Sequence, residues 1–273
     1  WLDSAEARQI EEENIQGVYL RSNYRRRYPH GPVACHAVGG RNAFHIPLFG
    51  VEHRYRLILD GKKAATVSLT DRSGNPVPGH EEQMIPGLPG RDVVLTLDLQ
   101  LQNYVEAALD SLMDRTKPEK AYAVVISPHD GSILAIASRP AYNPDLLASG
   151  KEAVLGDASF SEATRFGAVA DDVDPGSTLK VLLAAAALEE GVVEPDETFR
   201  CDGQFAAGGK PITCWGRYGV QGHGTVDLTK MVAMSCNVSA AKIALKLGAE
   251  RYVRFLKDSG LGSAPRSGLP GET

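Results

Sequence analysis

Two runs of nearly unbroken apolar residues, 121–126 and 133–137, flank the segment Pro128-His129-Asp130-Gly131. Asp-Gly between β-forming runs is a strong hairpin signal. Strands apolar at almost every position, instead of at alternate ones, are predicted to be buried on both faces. This requirement constrains the fold more than any other feature, because helices must then cover the sheet. The sequence offers such helices. Asp98 can cap one, and Leu101, Val105, Ala108, Leu109 and Leu112 recur on one helical face after it. Residues 178–190, rich in Ala and Leu and closed by Gly191, predict a helix buried most of the way round. Residues 227–234 read as a short helix, and 237–247, closed by Gly248, as another. The expected class is α+β, an antiparallel sheet covered by helices.

The first 90 residues read differently. Residues 54–59 and 64–69 look like short strands around an Asp60-Gly61 turn, and residues 71–78 form a turn cluster. Pro86-Gly87-Leu88-Pro89-Gly90 is the clearest linker, so a domain boundary is expected there, dividing 1–90 from 91–273. Residues 92–97 are expected to be a strand and 201–224 a Gly-rich loop.

Several function classes are disfavoured. A formal charge of −5 argues against a nucleic-acid partner, and Arg25-Arg26-Arg27 reads as a solvated basic turn. No stretch is apolar over the roughly 20 residues that a membrane span needs. The chain opens on Trp1 without a signal-peptide pattern, so it is expected to be the interior of a longer gene product. The four cysteines, Cys35, Cys201, Cys214 and Cys236, include no Cys-x-x-Cys pair, and no His-Glu-x-x-His occurs. No metal site and no cofactor are therefore expected. Cys201 and Cys214 flank the Gly-rich segment, where a disulfide is sterically possible; the sequence leaves their state open.

The chemistry-bearing candidate is Ser177-Thr178-Leu179-Lys180, which follows the break Asp174-Pro175-Gly176. A spacing of three on a helix puts the hydroxyl and the amine on one face. Serine is a poor nucleophile without a base, and a lysine desolvated on an apolar helix loses basicity and can serve as that base. The helix N-terminus favours negative charge developing on oxygen, and the Ser177 N–H is a candidate oxyanion donor. A lone Ser-x-x-Lys is a chance-level match, and Ser239-Ala240-Ala241-Lys242 is a second one. Ser239 falls inside a predicted helix with no break before it, so it and Lys242 read as ordinary helix residues. Ser235-Cys236-Asn237 lies between two predicted helices. Ser235 is suited to pass a proton, and Asn237 to hold Lys180 or a substrate amide. Ser-x-x-Lys followed by Ser-x-Asn is the pairing of serine β-lactamases and penicillin-binding proteins.

With these motifs in order, the chain resembles a class B penicillin-binding protein, and the resemblance runs along nearly its whole length. Arg27-Tyr28-Pro29-His30-Gly31 and Gly50-Val51-Glu52 with Tyr55 resemble segments of the family's N-terminal region. Leu95-Thr96-Leu97-Asp98 with Gln102 and Glu106 resembles the helix opening its transpeptidase domain, and Asp130-Gly131-Ser132-Ile133-Leu134-Ala135 its central hairpin. Pro175 to Lys180 and Ser235-Cys236-Asn237 resemble the first two active-site motifs; Gly260-Leu261-Gly262 and Leu269-Pro270-Gly271-Glu272 resemble the stretch that follows. The resemblance implies a penicillin-binding transpeptidase fold preceded by a β-rich pedestal region over 1–90. It implies a D,D-transpeptidase in which Ser177, Lys180, Ser235 and Asn237 act on peptidoglycan stem peptides ending in D-Ala-D-Ala, and which β-lactam antibiotics acylate. It also implies a membrane-anchored, extracytoplasmic (periplasmic) setting, with a membrane-embedded glycosyltransferase and other divisome or elongasome proteins as partners. The family's third motif, Lys-Thr-Gly, does not occur in the sequence; in the family it lies beyond the position matching Thr273, so the chain is expected to carry part of the domain. Asp145 stands where the family usually shows Asn after Pro. Glu189 and Glu190 read as surface charges. The competing readings are a non-catalytic scaffold of a wall-synthesis complex and a β-lactam sensor or β-lactamase.

Overall fold

The apolar runs form the expected hairpin: Ala121–Ile126 pairs antiparallel with Ile133–Arg139, with a bulge at Val125/Ile126. Gly131 supplies the positive φ of +75° that the turn requires, and Asp130 Oδ1 accepts from Ser132 N. The structure, a computed structural model of the 273-residue chain, describes residues 2, 4–20, 26–62, 64–67, 72, 83–148, 158–215 and 221–272. Burial on both faces holds for the second strand only. Ile133–Arg139 is buried from Ala135 onward, whereas Val124 and Ile126 are exposed, because the helix Leu99–Thr116 and the cluster of Ala37 and Phe166 pack mainly on the second strand.

The chain packs as two compact units, residues 1–171 with 267–273, and residues 172–266. Helices and two-stranded antiparallel sheets mix in both, as an α+β chain should.

In the first unit, the helix Leu99–Thr116 is capped by Asp98, which accepts from Leu101 N at 2.8 Å. Its inward face is the expected apolar one in part, with Leu101, Val105 and Leu112 half-buried, but polar residues share it. Gln102, Glu106 and Leu109 are buried, while Ala108 is exposed. Gln102 binds the strand like a peptide group, donating to Ile136 O and accepting from Ile136 N, both at 2.9 Å. Glu106 accepts from Gln102 Nε2 and from Ala34 N, both at 2.7 Å, and from Arg139. The buried Gln102 and Glu106 thus both have partners, which removes the penalty that would otherwise exclude this face from a core. Leu269 packs with Ala37, Ile136 and Phe166.

Residues 54–59, expected as a strand, form helical turns instead, Gly50–Arg54 and Arg56–Leu59. The helical spacing turns Tyr55 and Leu59 to one side, and Glu52 is buried between the guanidinium groups of Arg26 and Arg41. Arg26 is therefore an ion-pair partner; Arg27 is exposed, and Arg25 lies outside the described residues. Ala65–Val67 does form a strand, paired with Gln83–Ile85; residues 68–69 and all but Arg72 of the turn cluster 71–78 lie outside the described residues. Residues 92–97 run alongside the hairpin through Thr96 Oγ1 to Ile133 O, and Asp98 N donates to Leu134 O, but no strand ladder forms there.

The second unit is built on the helix Leu179–Glu189 packed with Leu228–Ala233 and Asn237–Leu247. Its core holds Leu183, Ala186, Val226, Met231, Val238 and Ile243. Burying a side chain the size of Met or Ile contributes about 1.5–3 kcal/mol. Leu179–Glu189 is buried on one face only; Val181 and Leu188 are exposed. Glu190 pairs with Arg254 at 2.7 Å as a surface charge. The expected Gly-rich loop is largely paired strand. Gln204–Ala207 meets Lys210–Thr213 across Gly208-Gly209, whose φ values of +56° and +80° suit the two-residue hairpin turn, and Phe199–Cys201 pairs with Gly224–Val226. Residues 216–220 lie outside the described residues.

Candidate active site

Ser177 sits in a single 3-10 turn, Gly176–Thr178, that leads straight into the helix Leu179–Glu189. Gly176 has φ +49°, a conformation that strains residues with a Cβ, and it lets the chain turn from Pro175 into the helix. Thr178 N closes the turn on Pro175 O at 3.1 Å. With a spacing of three, Lys180 Nζ lies 3.3 Å from Ser177 Oγ.

Ser235 lies in the connection between Leu228–Ala233 and Asn237–Leu247, and Asn237 opens the second of these helices. Ser235 adopts φ +50°, and Cys236 N is bonded to Met231 O at 3.0 Å. The four residues singled out in the sequence come together around one amine. Lys180 Nζ is 2.8 Å from Ser235 O, 2.9 Å from Ser235 Oγ and 2.5 Å from Asn237 Oδ1. Ser235 Oγ is in turn 2.9 Å from Ser177 Oγ.

The chemistry of the partners decides what this geometry can do. The Ser235 carbonyl and the Asn237 amide oxygen accept only. They engage two N–H bonds of Lys180 in either protonation state. When the amine is neutral, its lone pair is left for a hydroxyl, and the hydroxyls within reach are those of Ser177 and Ser235. Burial lowers the Lys180 pKa below its ordinary 10.5, against a smaller opposing influence of the Cys236 and Cys214 sulfurs. The Asn237 amide is fixed in orientation, because Nδ2 donates to Thr213 O, an acceptor only, at 2.8 Å, which leaves Oδ1 to accept from the Lys180 amine.

Two supporting contacts were not foreseen. A backbone carbonyl such as Thr213 O has no sequence signature. Trp215 Nε1 donates to Met234 O at 3.0 Å, immediately before Ser235. The second Ser-x-x-Lys match does not assemble. Ser239 is fully buried, and Lys242 donates to Arg200 O at 2.6 Å and lies over the Phe205 ring. Three of the four cysteines, whose spacing in the sequence matches no zinc pattern, nevertheless gather around one histidine. Cys201, Cys214, His223 and Cys236 converge from separate elements, their ligand atoms all within 4.8 Å of one another.

The family model described as the penicillin binding protein transpeptidase domain matches residues 121–273. Stage V sporulation protein D of Bacillus subtilis (strain 168) is 30% identical over 99% of this chain and 40% of its own length. Peptidoglycan D,D-transpeptidase FtsI of Escherichia coli (strain K12) is 29% identical over 96% of this chain and 42% of its own length. A crystal structure of penicillin binding protein 3 from Mycobacterium tuberculosis, complexed with aztreonam, superposes with a TM-score of 0.71 at 27% identity, covering 90% of this chain and 49% of that one. The chain belongs to the penicillin-binding protein transpeptidase family. Within it the relatives are class B penicillin-binding proteins, and the fold is that of their transpeptidase domains. The chain spans about two-fifths of the length of these curated relatives.

Proposed function

We propose that this chain carries the acylating serine of a peptidoglycan D,D-transpeptidase, with Ser177 as nucleophile and Lys180 as its base. The supporting observation is the bonding of Lys180: two acceptor-only oxygens take its N–H bonds and leave its lone pair for the Ser177 and Ser235 hydroxyls. Ser177 Oγ attacks the carbonyl of the penultimate D-Ala of a stem peptide. Its proton passes to Lys180, either directly over 3.3 Å or through Ser235 over two contacts of 2.9 Å. Collapse of the tetrahedral intermediate breaks the peptide bond, and the proton leaves on the amine of the departing D-Ala. An amine of a neighbouring stem then attacks the Ser177 ester, gives its proton to Lys180, and releases the cross-linked peptide and the free hydroxyl. The Ser177 N–H, at the start of a helix, serves as one oxyanion donor. Asn237 holds Lys180 in place.

Residues 91–273 are assigned to the transpeptidase domain and 1–90 to a pedestal region. The substrates are stem peptides, and β-lactams acylate the same serine. The site of action is the outer face of the bacterial cytoplasmic membrane, beside a membrane-embedded glycosyltransferase and other division or elongation proteins; among the described residues no helix is long and apolar enough to cross a membrane. A fluorescent penicillin tests the reading. Full-length protein should be labelled covalently and Ser177→Ala should not; labelling that survives the substitution refutes the nucleophile assignment.

A further inference from the structure

Cys201 ends the strand Phe199–Cys201, Cys214 follows Lys210–Thr213, His223 precedes Gly224–Val226, and Cys236 caps the helix Asn237–Leu247. The three cysteines are buried and His223 is partly buried. All four cysteines of the chain are free thiols. Cys201 Sγ is 3.5 Å from Cys214 Sγ and 3.5 Å from His223 Nδ1, and Cys214 Sγ is 3.8 Å from Cys236 Sγ.

These separations have a definite meaning. A tetrahedral zinc ion with Zn–S near 2.3 Å and Zn–N near 2.0–2.1 Å sets its ligand atoms about 3.8 Å apart for sulfur pairs and about 3.5 Å apart for sulfur and nitrogen. A disulfide holds its sulfurs at about 2.05 Å and joins only two of them. It would leave a third buried thiol and an imidazole in the same group. Backbone N–H groups also point at the sulfurs. Ser239 N donates to Cys236 Sγ at 3.4 Å, the backbone N–H groups of Gly203 and His223 reach the Cys201 sulfur, and that of Val238 reaches Cys214. Such N–H···S bonds orient metal-bound sulfurs.

We propose that Cys201, Cys214, His223 and Cys236 bind one zinc ion as a closed, structural Cys3His site. Binding replaces the three thiol protons, which pass to solvent, and leaves a tetrahedral centre with no open position. The site ties two strand pairs to the start of a helix across residues 201–236. It also seizes Cys236, the residue between Ser235 and Asn237. Ser235 holds a left-handed backbone that a non-glycine residue adopts only at a cost. A metal anchored at the next residue keeps that conformation, and with it the Ser235 oxygens on Lys180. This last consequence rests on the transpeptidase reading; the metal site does not.

The test is elemental analysis of the full-length protein purified under reducing conditions with zinc present. About one tightly held zinc per chain is expected. Cys214→Ser and His223→Ala should each lower the content at least about tenfold. Should these variants fail to fold, cobalt substitution of the wild-type protein gives an independent reading. A thiolate-to-cobalt charge-transfer band with intense visible d–d bands supports the site. Wild-type protein without bound metal overturns the proposal, as does a non-reducing mass that shows a disulfide among these cysteines. Penicillin labelling separates the two readings: zinc with no labelling leaves the metal site standing and removes the transpeptidase reading, whereas labelling without zinc removes only the metal site.

Discussion

Replacing Lys180 with methionine keeps the length and apolar packing of the side chain and removes the amine. The amine contacts both hydroxyls, at 3.3 Å from Ser177 and 2.9 Å from Ser235, and is the only basic nitrogen to do so among the described residues. A positioned general base accounts for roughly 10²–10⁴ in rate, so the acylation barrier should rise by about 3–5 kcal/mol. The fold should be little affected. The four oxygens that Lys180 leaves are only partly buried or exposed and water can replace it, so the stability change should be about 1 kcal/mol or less. Stopped-flow acylation by a chromogenic or fluorescent β-lactam, with a urea titration of each protein, separates the two effects. The pH profile adds a sign. Only neutral Lys180 accepts a proton, and its pKa is lowered from 10.5. Wild-type acylation should therefore climb about tenfold per pH unit and level off at a pH below 10.5. The methionine variant should lose that limb. Acylation within about tenfold of wild type, with the limb intact, would refute the assignment of Lys180 as base.

Further outcomes follow from the same contacts. Asn237→Asp places a carboxylate on the amine 2.5 Å away, which favours the ammonium, so the rising limb should move to higher pH and acylation at neutral pH should fall. Ser235→Ala removes the 2.9 Å relay but leaves the 3.3 Å contact, so the rate should fall by roughly 10–100-fold, less than for Lys180→Met. Glu106→Ala strips partners from Ala34 N, Gln102 and Arg139 in a buried network; Arg139 keeps Asp110, and urea unfolding should show a loss of about 3 kcal/mol.

The candidate site residues stood out in the sequence because their proposed chemistry depends on short spacings. A Pro-Gly break before Ser177 and a three-residue step to Lys180 are local facts, and Ser235 and Asn237 stand two apart at a helix start. The hairpin and the helix at 237–247 were legible for the same reason. What the sequence hid is non-local. The buried face of Leu99–Thr116 carries Gln102 and Glu106, which periodicity discounts as polar until their partners on Ile136 and Ala34 are seen. Residues 54–59 alternate enough to suggest a strand, yet it is helical turns that bring Tyr55 and Leu59, both half-buried, to one side. The Cys201, Cys214, His223 and Cys236 group has no spacing signature, because its four members come from four separate elements.

Acylation at a single residue tests the central claim most directly. Full-length protein is incubated with a β-lactam, digested, and the covalent adduct is mapped by mass spectrometry. The adduct should fall on the peptide containing Ser177 and disappear in Ser177→Ala. An adduct on Ser235 or Ser239, or a protein that folds yet takes up no β-lactam, would contradict it.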